Sequence, residues 1–103
     1  MPEILIVDDE KVIRETLKDI LEYEGYKIEE AADGAKALDM IKKKKYDVVL
    51  CDIKMPKMDG IEVLEKSMEF NPEVPFIMIS GHGTIEIAVD ATKKGAYAFI
   101  TKP

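Results

Sequence analysis

Short apolar runs alternate along the chain with segments in which apolar residues recur every three or four positions. Three runs are continuous and rich in β-branched residues: 4–7, 48–51 and 76–79. Such runs are typical of strands that are buried on both faces of a parallel sheet. Residues 27–31 are more polar, which predicts an edge strand, and residues 96–100 are a candidate fifth strand.

The intervening segments have the periodicity of amphipathic helices. Apolar residues fall on one helix face in four of them: 12–21, 35–41, 61–68 and 85–92. Gly25 and Gly95 follow the first and the last of these segments and are expected to end the helices. The order β-α-β-α-β-α-β-α-β predicts an α/β fold, a flavodoxin-like doubly wound sheet of five parallel strands in the order 2-1-3-4-5.

The chain of 103 residues is long enough for one hydrophobic core and predicts a single domain, residues 1–103. Its last residues, Lys102 and Pro103, follow the fifth predicted strand directly. Four helices on the two faces of a five-stranded sheet leave one face partly uncovered. We therefore expect either that a fifth, C-terminal helix is missing or that something else covers this surface.

Composition narrows the classes of partner and site. The formal net charge of −6 argues against direct binding to nucleic acid, which relies on clustered Lys and Arg. No apolar run approaches the length of a membrane span, and a single cysteine, Cys51, is compatible with a reducing cytoplasm. Because the chain has only that cysteine and one histidine, His82, any metal must be held by oxygen ligands.

Three aspartates follow the predicted strands. Asp8 and Asp9 come directly after the first strand, and Asp52 comes after the third. In open α/β sheets, ligands bind beyond the carboxyl ends of the strands where the strand order reverses, which in the order 2-1-3-4-5 is between strands one and three. Two charges about 4 Å apart repel by roughly 4 kcal/mol at an effective dielectric constant near 20, so the cluster requires a cation or a proton. Carboxylates and water suit Mg²⁺, with Mn²⁺ as an alternative.

Two further strand ends supply groups that bind an anion. Ser80 ends the fourth strand and leads into a glycine-containing turn, residues 81–84, that can present backbone N–H groups. Lys102 ends the fifth strand. A hydroxyl and an ammonium that face a metal-bound carboxylate form a site for a tetrahedral oxyanion. In this frame a carboxylate is the natural nucleophile for forming an acyl phosphate, and Asp52 is the best candidate.

These residues resemble the receiver domains of bacterial two-component response regulators. The resemblance covers essentially the whole chain and rests on four motifs in order: 7–10 (VDDE), 52–60 (DIKMPKMDG), 80–84 (SGHGT) and 102–103 (KP). The third motif and residues 95–99 are most similar to the NtrC/NtrX branch of this family. Members of that branch usually continue into an ATPase and a DNA-binding domain, and both of these output domains are absent from this sequence.

The resemblance implies a role for each acid. Asp52 would accept a phosphoryl group from a sensor histidine kinase. Mg²⁺ would be bound directly by Asp9, Asp52 and the backbone carbonyl of Lys54, while Asp8 would act largely through water. The chain would then be a phosphorylation-dependent signalling switch in the cytoplasm, used in transcription regulation. A homo-oligomer that covers the exposed face of the sheet is a further expectation, whereas the usual dimer of the family cannot be carried over intact because it uses the final helix.

The resemblance further implies how the signal leaves the site. Ser80 would be the switch hydroxyl, Lys102 its cationic partner and Phe99 the aromatic switch residue. An ordinary half-buried strand aromatic is the alternative for Phe99. The peptide bond between Lys102 and Pro103 would be cis, which proline tolerates unusually well.

Two other classes share part of this pattern. Metal-dependent phosphatases with an aspartyl nucleophile commonly have a second Asp two residues later, where this chain has Lys54, and they enclose their substrate with a cap domain. Flavin-binding modules of the same topology require Gly, Ser or Thr after the first strand, where this chain has three acids, residues 8–10. We therefore interpret the chain as a signalling phosphoacceptor and not as an enzyme with a separate substrate.

Overall fold

The structure, a computed structural model, describes residues 1–81 and 84–102. Within these residues strands and helices alternate in the order β1 (Glu3–Val7), α1 (Lys11–Tyr23), β2 (Lys27–Ala31), α2 (Gly34–Lys43), β3 (Val48–Asp52), α3 (Gly60–Phe70), β4 (Phe76–Ser80), α4 (Ile85–Lys93) and β5 (Ala98–Thr101). The strands form one parallel sheet in the order β2-β1-β3-β4-β5. The predicted fold class is confirmed, and β2 lies at one edge of the sheet, as its polar sequence indicated.

The register of the central strands determines which side chains meet at the carboxyl edge of the sheet. Val7 of β1 is paired with Cys51 of β3. The residue that follows each of them is an aspartate, Asp8 or Asp52, so the two acids lie side by side. On the other side of β3, Asp52 is paired with Ile79 of β4. The pairing of apolar strands thus fixes the position of the acids.

The two faces of the sheet are covered unequally. The larger core cluster joins α2, α3 and α4 to one face and includes Val49, Phe76 and Met78 of the strands. On the other face a smaller cluster of strand residues packs against α1. A groove of about 420 Å³ remains beside α1 on that face, and its walls include Leu17, Ile20, Leu50, Ile79 and Ile100.

Both predicted glycine stops are present. Gly25 and Gly95 have φ angles of 95° and 113°, a region that side chains disfavour. The N–H of Gly95 is bonded to the carbonyl of Thr92, and the N–H of Ala96 to that of Ala91, which is the Schellman arrangement. The prediction that the fifth strand begins at Ala96 is wrong, because the backbone donor of this residue closes α4 and the strand begins at Ala98.

Within the part of the chain that the structure describes, no helix combines the length and the apolar character that a membrane crossing requires.

Candidate functional site

One ammonium group bridges two buried carboxylates at the carboxyl end of the sheet. Asp8 and Asp52 are only 2% and 4% exposed. The Nζ of Lys102, just after β5, donates a hydrogen bond of 3.1 Å to Oδ2 of Asp8 and lies 3.4 Å from Oδ2 of Asp52. The structure thus brings together three side chains that the sequence interpretation assigned to one edge.

Burial and neighbouring charges together shift the pKa values of this group. Burial raises the pKa of Asp52, and the neighbouring charge of Asp8 raises it further, while Lys102 opposes both effects. Burial alone would lower the pKa of Lys102, but its hydrogen bond to Asp8 and the charges of Asp52 and Asp8 outweigh burial and raise it. One cation therefore faces two carboxylates in a partly desolvated place, which leaves an excess of negative charge.

A cluster of acidic oxygens extends from the end of β1. Asp8, Asp9 and Glu10 each offer a carboxylate oxygen, and these oxygens lie within 4.8 Å of one another. Asp9 and Glu10 are exposed. Asp52 is not part of this cluster but shares the ammonium of Lys102 with Asp8. Oxygen ligands of this type suit a hard cation such as Mg²⁺.

Glu10 was not assigned a role by the sequence interpretation. It occupies the N-cap position of α1, but its side chain makes no capping hydrogen bond. Ser, Thr, Asp and Asn are the residues that normally cap a helix. A glutamate at a helix start directly after two aspartates was therefore the signal that its carboxylate belongs with theirs.

The backbone around Asp8 is held at several points. Its N–H is bonded to the carbonyl of Ala31 at 3.2 Å, and its Oδ1 accepts a hydrogen bond of 2.9 Å from the N–H of Glu10. Its carbonyl accepts a hydrogen bond of 2.8 Å from Nη1 of Arg14. Arg14 was also missed from the sequence, because a contact between a helix side chain and a strand-end carbonyl requires the tertiary fold.

The loop after β3 holds the backbone of Asp52 tightly. The N–H of Gly60 is bonded to the carbonyl of Ile53 at 2.7 Å, and a Cβ at position 60 would overlap the carbonyl oxygen of Asp52. Lys57 in the same loop has a φ angle of 69°, which is uncommon for a side-chain-bearing residue. Lys54, the predicted carbonyl ligand, is an exposed residue of this loop.

The remaining predicted residues lie on β4 and β5. Ser80 is buried at the end of β4, and its carbonyl accepts a hydrogen bond of 2.8 Å from the N–H of Lys102. Phe99 is half-buried, pairs with Met78 across the strands and packs against the larger core cluster. The turn residues 82 and 83 and the predicted cis peptide bond to residue 103 lie outside the described residues.

Comparison with known proteins identifies the family. The model of the response regulator receiver domain matches residues 4–103. The chain belongs to the response regulator receiver domain family. It is 47% identical over 103 residues to the nitrogen assimilation regulatory protein NtrX of Azorhizobium caulinodans, and this match covers 98% of the chain and 23% of NtrX. It is 39% identical over 101 residues to the transcriptional regulatory protein ZraR of Klebsiella oxytoca, with 98% and 23% covered.

A solved structure has the same fold. The CheX–CheY–BeF₃–Mg²⁺ complex from Borrelia burgdorferi contains a chain that is 42% identical to this one, with a TM-score of 0.95, and the match covers 99% of this chain and 78% of that chain. The curated relatives are longer, since this chain spans less than a quarter of NtrX or ZraR. Receiver domains bind Mg²⁺ in an acidic pocket, and the acidic cluster of residues 8–10 fits such a pocket.

Proposed function

We propose that this chain is a phosphorylation-dependent switch whose phosphoacceptor is Asp52. One observation carries the proposal: Asp52 and Asp8 are buried side by side and share the single ammonium of Lys102. This arrangement costs free energy because buried charges of like sign repel. An acid in such a place is better explained by a reaction than by stability.

In the proposed reaction, an ionised carboxylate oxygen of Asp52 attacks the phosphorus of a phosphohistidine on a sensor kinase. A P–O bond forms while the P–N bond breaks, and the electron pair of that bond returns to the imidazole, which leaves as a neutral ring if its other nitrogen carries a proton. The product is an acyl phosphate on Asp52. Lys102 is within reach of Asp52 and would pair with the new phosphoryl oxygens.

We infer that Mg²⁺, with Mn²⁺ as an alternative, is held directly by Asp9, Asp52 and the backbone carbonyl of Lys54, and by Asp8 largely through water. The hard oxygen ligands and the excess of negative charge support this assignment. When bound, the ion would neutralise charge on the phosphoryl oxygens. The Borrelia complex supports a site that takes both a phosphoryl group and Mg²⁺, because it contains Mg²⁺ together with BeF₃, a mimic of the phosphoryl group.

We further propose that the signal leaves through β4 and β5. Ser80 would move toward the phosphoryl group, and Phe99, which is already half-buried against the core, would turn further inward. A local change of charge would thereby bias a two-state surface. The similarity to NtrX and ZraR supports an output in transcription regulation, through an ATPase and a DNA-binding domain as in the NtrC branch.

The test is incubation of the chain with acetyl phosphate and Mg²⁺, followed by intact-mass measurement. We expect the mass of one phosphoryl group to be added, and we expect neither the Asp52→Asn variant nor a sample with EDTA to gain it. Asp39→Asn is the control, because Asp39 is an exposed acid on α2 whose ion-pair partner among the described residues is Lys43 alone. A folded chain that gains no mass, or an Asp52→Asn variant that gains as much as the parent, would overturn the proposal.

A further inference from the structure

We propose that Arg14 is a positioning residue that holds the peptide between Asp8 and Asp9 in the orientation that the cation requires. The inference rests on the proposed function, since it concerns the same acidic site. Arg14 lies on α1, and its side chain reaches back to the end of β1.

The side chain of Arg14 is fixed at two points. Its Nη1 donates a hydrogen bond of 2.8 Å to the carbonyl of Asp8, and its Nε lies 3.4 Å from Oε1 of Glu30 on β2. The side chain is only 15% exposed, although arginine is rarely buried unless it is paired. A planar guanidinium with donors in a fixed fork suits two acceptors in different directions. The side chain of Arg14 is therefore held in one position by its two protein partners.

The carbonyl that Arg14 binds controls the start of the acidic cluster. β1 ends at Val7, so the carbonyl of Asp8 lies beyond the end of the strand. A buried carbonyl without a donor costs free energy, and Arg14 supplies the donor. Because the peptide unit is planar, fixing this carbonyl also fixes the direction in which Asp9 leaves the strand. The exposed carboxylates of Asp9 and Glu10 are thus directed from a rigid base.

Arg14 and Lys102 hold Asp8 in different ways. Lys102 is bonded to the carboxylate of Asp8 and also lies beside Asp52, so a phosphoryl group on Asp52 would draw its ammonium away. Arg14 is bonded to the backbone, and its second partner, Glu30, lies outside the acidic site. We infer that the hydrogen bond from Arg14 to the carbonyl of Asp8 persists when Mg²⁺ and a phosphoryl group are bound. The metal ligands then stay in place while Lys102 moves from Asp8 to the phosphoryl group.

The direction in which one substitution changes the affinity for Mg²⁺ separates a positioning role of Arg14 from a purely electrostatic one. Arg14→Gln removes a positive charge close to a cation site, and electrostatics alone would make Mg²⁺ bind more tightly. A positioning role predicts the opposite, a dissociation constant for Mg²⁺ that rises about tenfold, at the lower end of the effect of removing groups that orient metal ligands. Isothermal titration of the 103-residue chain with Mg²⁺ measures this directly.

Lys18→Gln is the matched control. Lys18 also lies on α1 and pairs with Glu30, at 3.7 Å, so its loss removes the same charge from the same partner without a contact to Asp8. We expect the Mg²⁺ dissociation constant of Lys18→Gln to stay within about twofold of the parent value, since exposed pairs are worth little. The dependence of acetyl phosphate labelling on Mg²⁺ should shift in Arg14→Gln, while the rate at saturating Mg²⁺ should change less.

A second variant keeps the test decisive if Arg14→Gln fails to fold. Arg14→Lys retains the charge but loses the fork, so we expect Mg²⁺ to bind more weakly than in the parent, whereas a role of charge alone predicts no change. Binding in the folded variants that is as tight as in the parent, or tighter, would overturn the inference. If the parent chain itself does not bind Mg²⁺, the proposed function fails and not only the role of Arg14.

Discussion

Two clusters of the same composition, one lysine between two carboxylates, lie in different parts of this sheet and behave differently. Near the amino ends of the strands, Nζ of Lys44 lies 2.6 Å from both Oε2 of Glu3 and Oε2 of Glu29, and the hydroxyl of Tyr46 donates to Oε1 of Glu29 at 2.5 Å. At the carboxyl ends, Lys102 lies 3.1 and 3.4 Å from its two aspartates.

The difference is one of burial and of additional donors. The hydrogen bonds from Lys44 and Tyr46 lower the pKa of Glu29, and the small burial of this partly exposed group opposes them only weakly. At the other end, burial is the largest effect and raises the pKa of Asp52. The first cluster therefore stabilises the fold as it is, whereas the second leaves a demand for positive charge that a metal ion can meet. Composition alone does not distinguish a cluster whose charges are well paired from one with an excess of negative charge.

The largest effect on stability is expected where the backbone encloses Asp52. Gly60→Ala would force a Cβ into the carbonyl of Asp52, and we expect the free energy of unfolding to fall by roughly 3 kcal/mol, the upper range for overpacking. Urea unfolding measures it. Gly81→Ala is the control, because a Cβ there would lie 3.9 Å from Cδ of Lys102, an ordinary contact. Equal losses in the two variants would contradict a tightly enclosed Asp52.

The next largest loss of stability is expected when the cluster of Lys44, Glu3 and Glu29 at the amino ends of the strands is broken. Lys44→Met would leave Glu3 and Glu29 without the cation that they share, and we expect the free energy of unfolding to fall by several times the loss caused by breaking an exposed ion pair. Lys43→Met, which removes the exposed pair with Asp39, should cost less than about 0.5 kcal/mol. If urea unfolding gave the same value for both variants, this cluster would not be stabilising.

The carboxyl-end cluster should respond with the opposite sign. Asp52→Asn removes one of two buried like charges and leaves Lys102 paired with Asp8, so we expect the free energy of unfolding without Mg²⁺ to rise. Thermal or urea unfolding of the variant beside Asp39→Asn checks this. A clear destabilisation would mean that the acid contributes to the fold, and the contrast between the clusters would fail.

The smallest effect is a pH dependence. The pKa of Glu29 is lowered in the folded chain from its ordinary value of 4.5, so its contribution is fully present above that value and is lost as the pH falls through the folded pKa. The difference in unfolding free energy between the parent and Glu29→Gln should therefore shrink when urea unfolding is repeated at decreasing pH below 4.5. A difference that grew under acid would reverse the sign assigned to this group.

The sequence was informative where a local pattern determines the structure. Continuous apolar runs identified the strands, and Gly25 and Gly95 marked helix ends because their positive φ angles are a local requirement. The side-by-side position of Asp8 and Asp52 followed from the flavodoxin-like strand order, which the alternation of strands and helices predicted. The start of β5 was misplaced because Ala96 uses its N–H to close α4, which hydrophobicity does not reveal.

The parts of the site that were missed depend on contacts across the fold. In the sequence, Arg14 is indistinguishable from a solvated helix residue. Its contacts with Asp8 and Glu30 exist only once α1 packs beside β1 and β2. The roles of Glu3 and Lys44 are hidden for the same reason, since these residues are 41 positions apart in the sequence and meet only through the sheet. The positions of charged side chains along the sequence show no periodicity from which their partners in the fold could be predicted. Sequence patterns therefore located Asp52 and its cationic neighbour Lys102 but not the groups that hold them.

The most direct test of the contrast is the stability of the chain with and without Mg²⁺ and beryllofluoride. A ligand that binds only the folded state at about 100 times its dissociation constant adds about 2.7 kcal/mol to the free energy of unfolding. We predict a gain of this order for the parent and for Lys44→Met, and a much smaller gain for Asp52→Asn, which lacks the carboxylate that the beryllofluoride would occupy. A parent chain that gains no stability, or an Asp52→Asn variant that gains as much as the parent, would contradict the assignment of Asp52 as the acceptor.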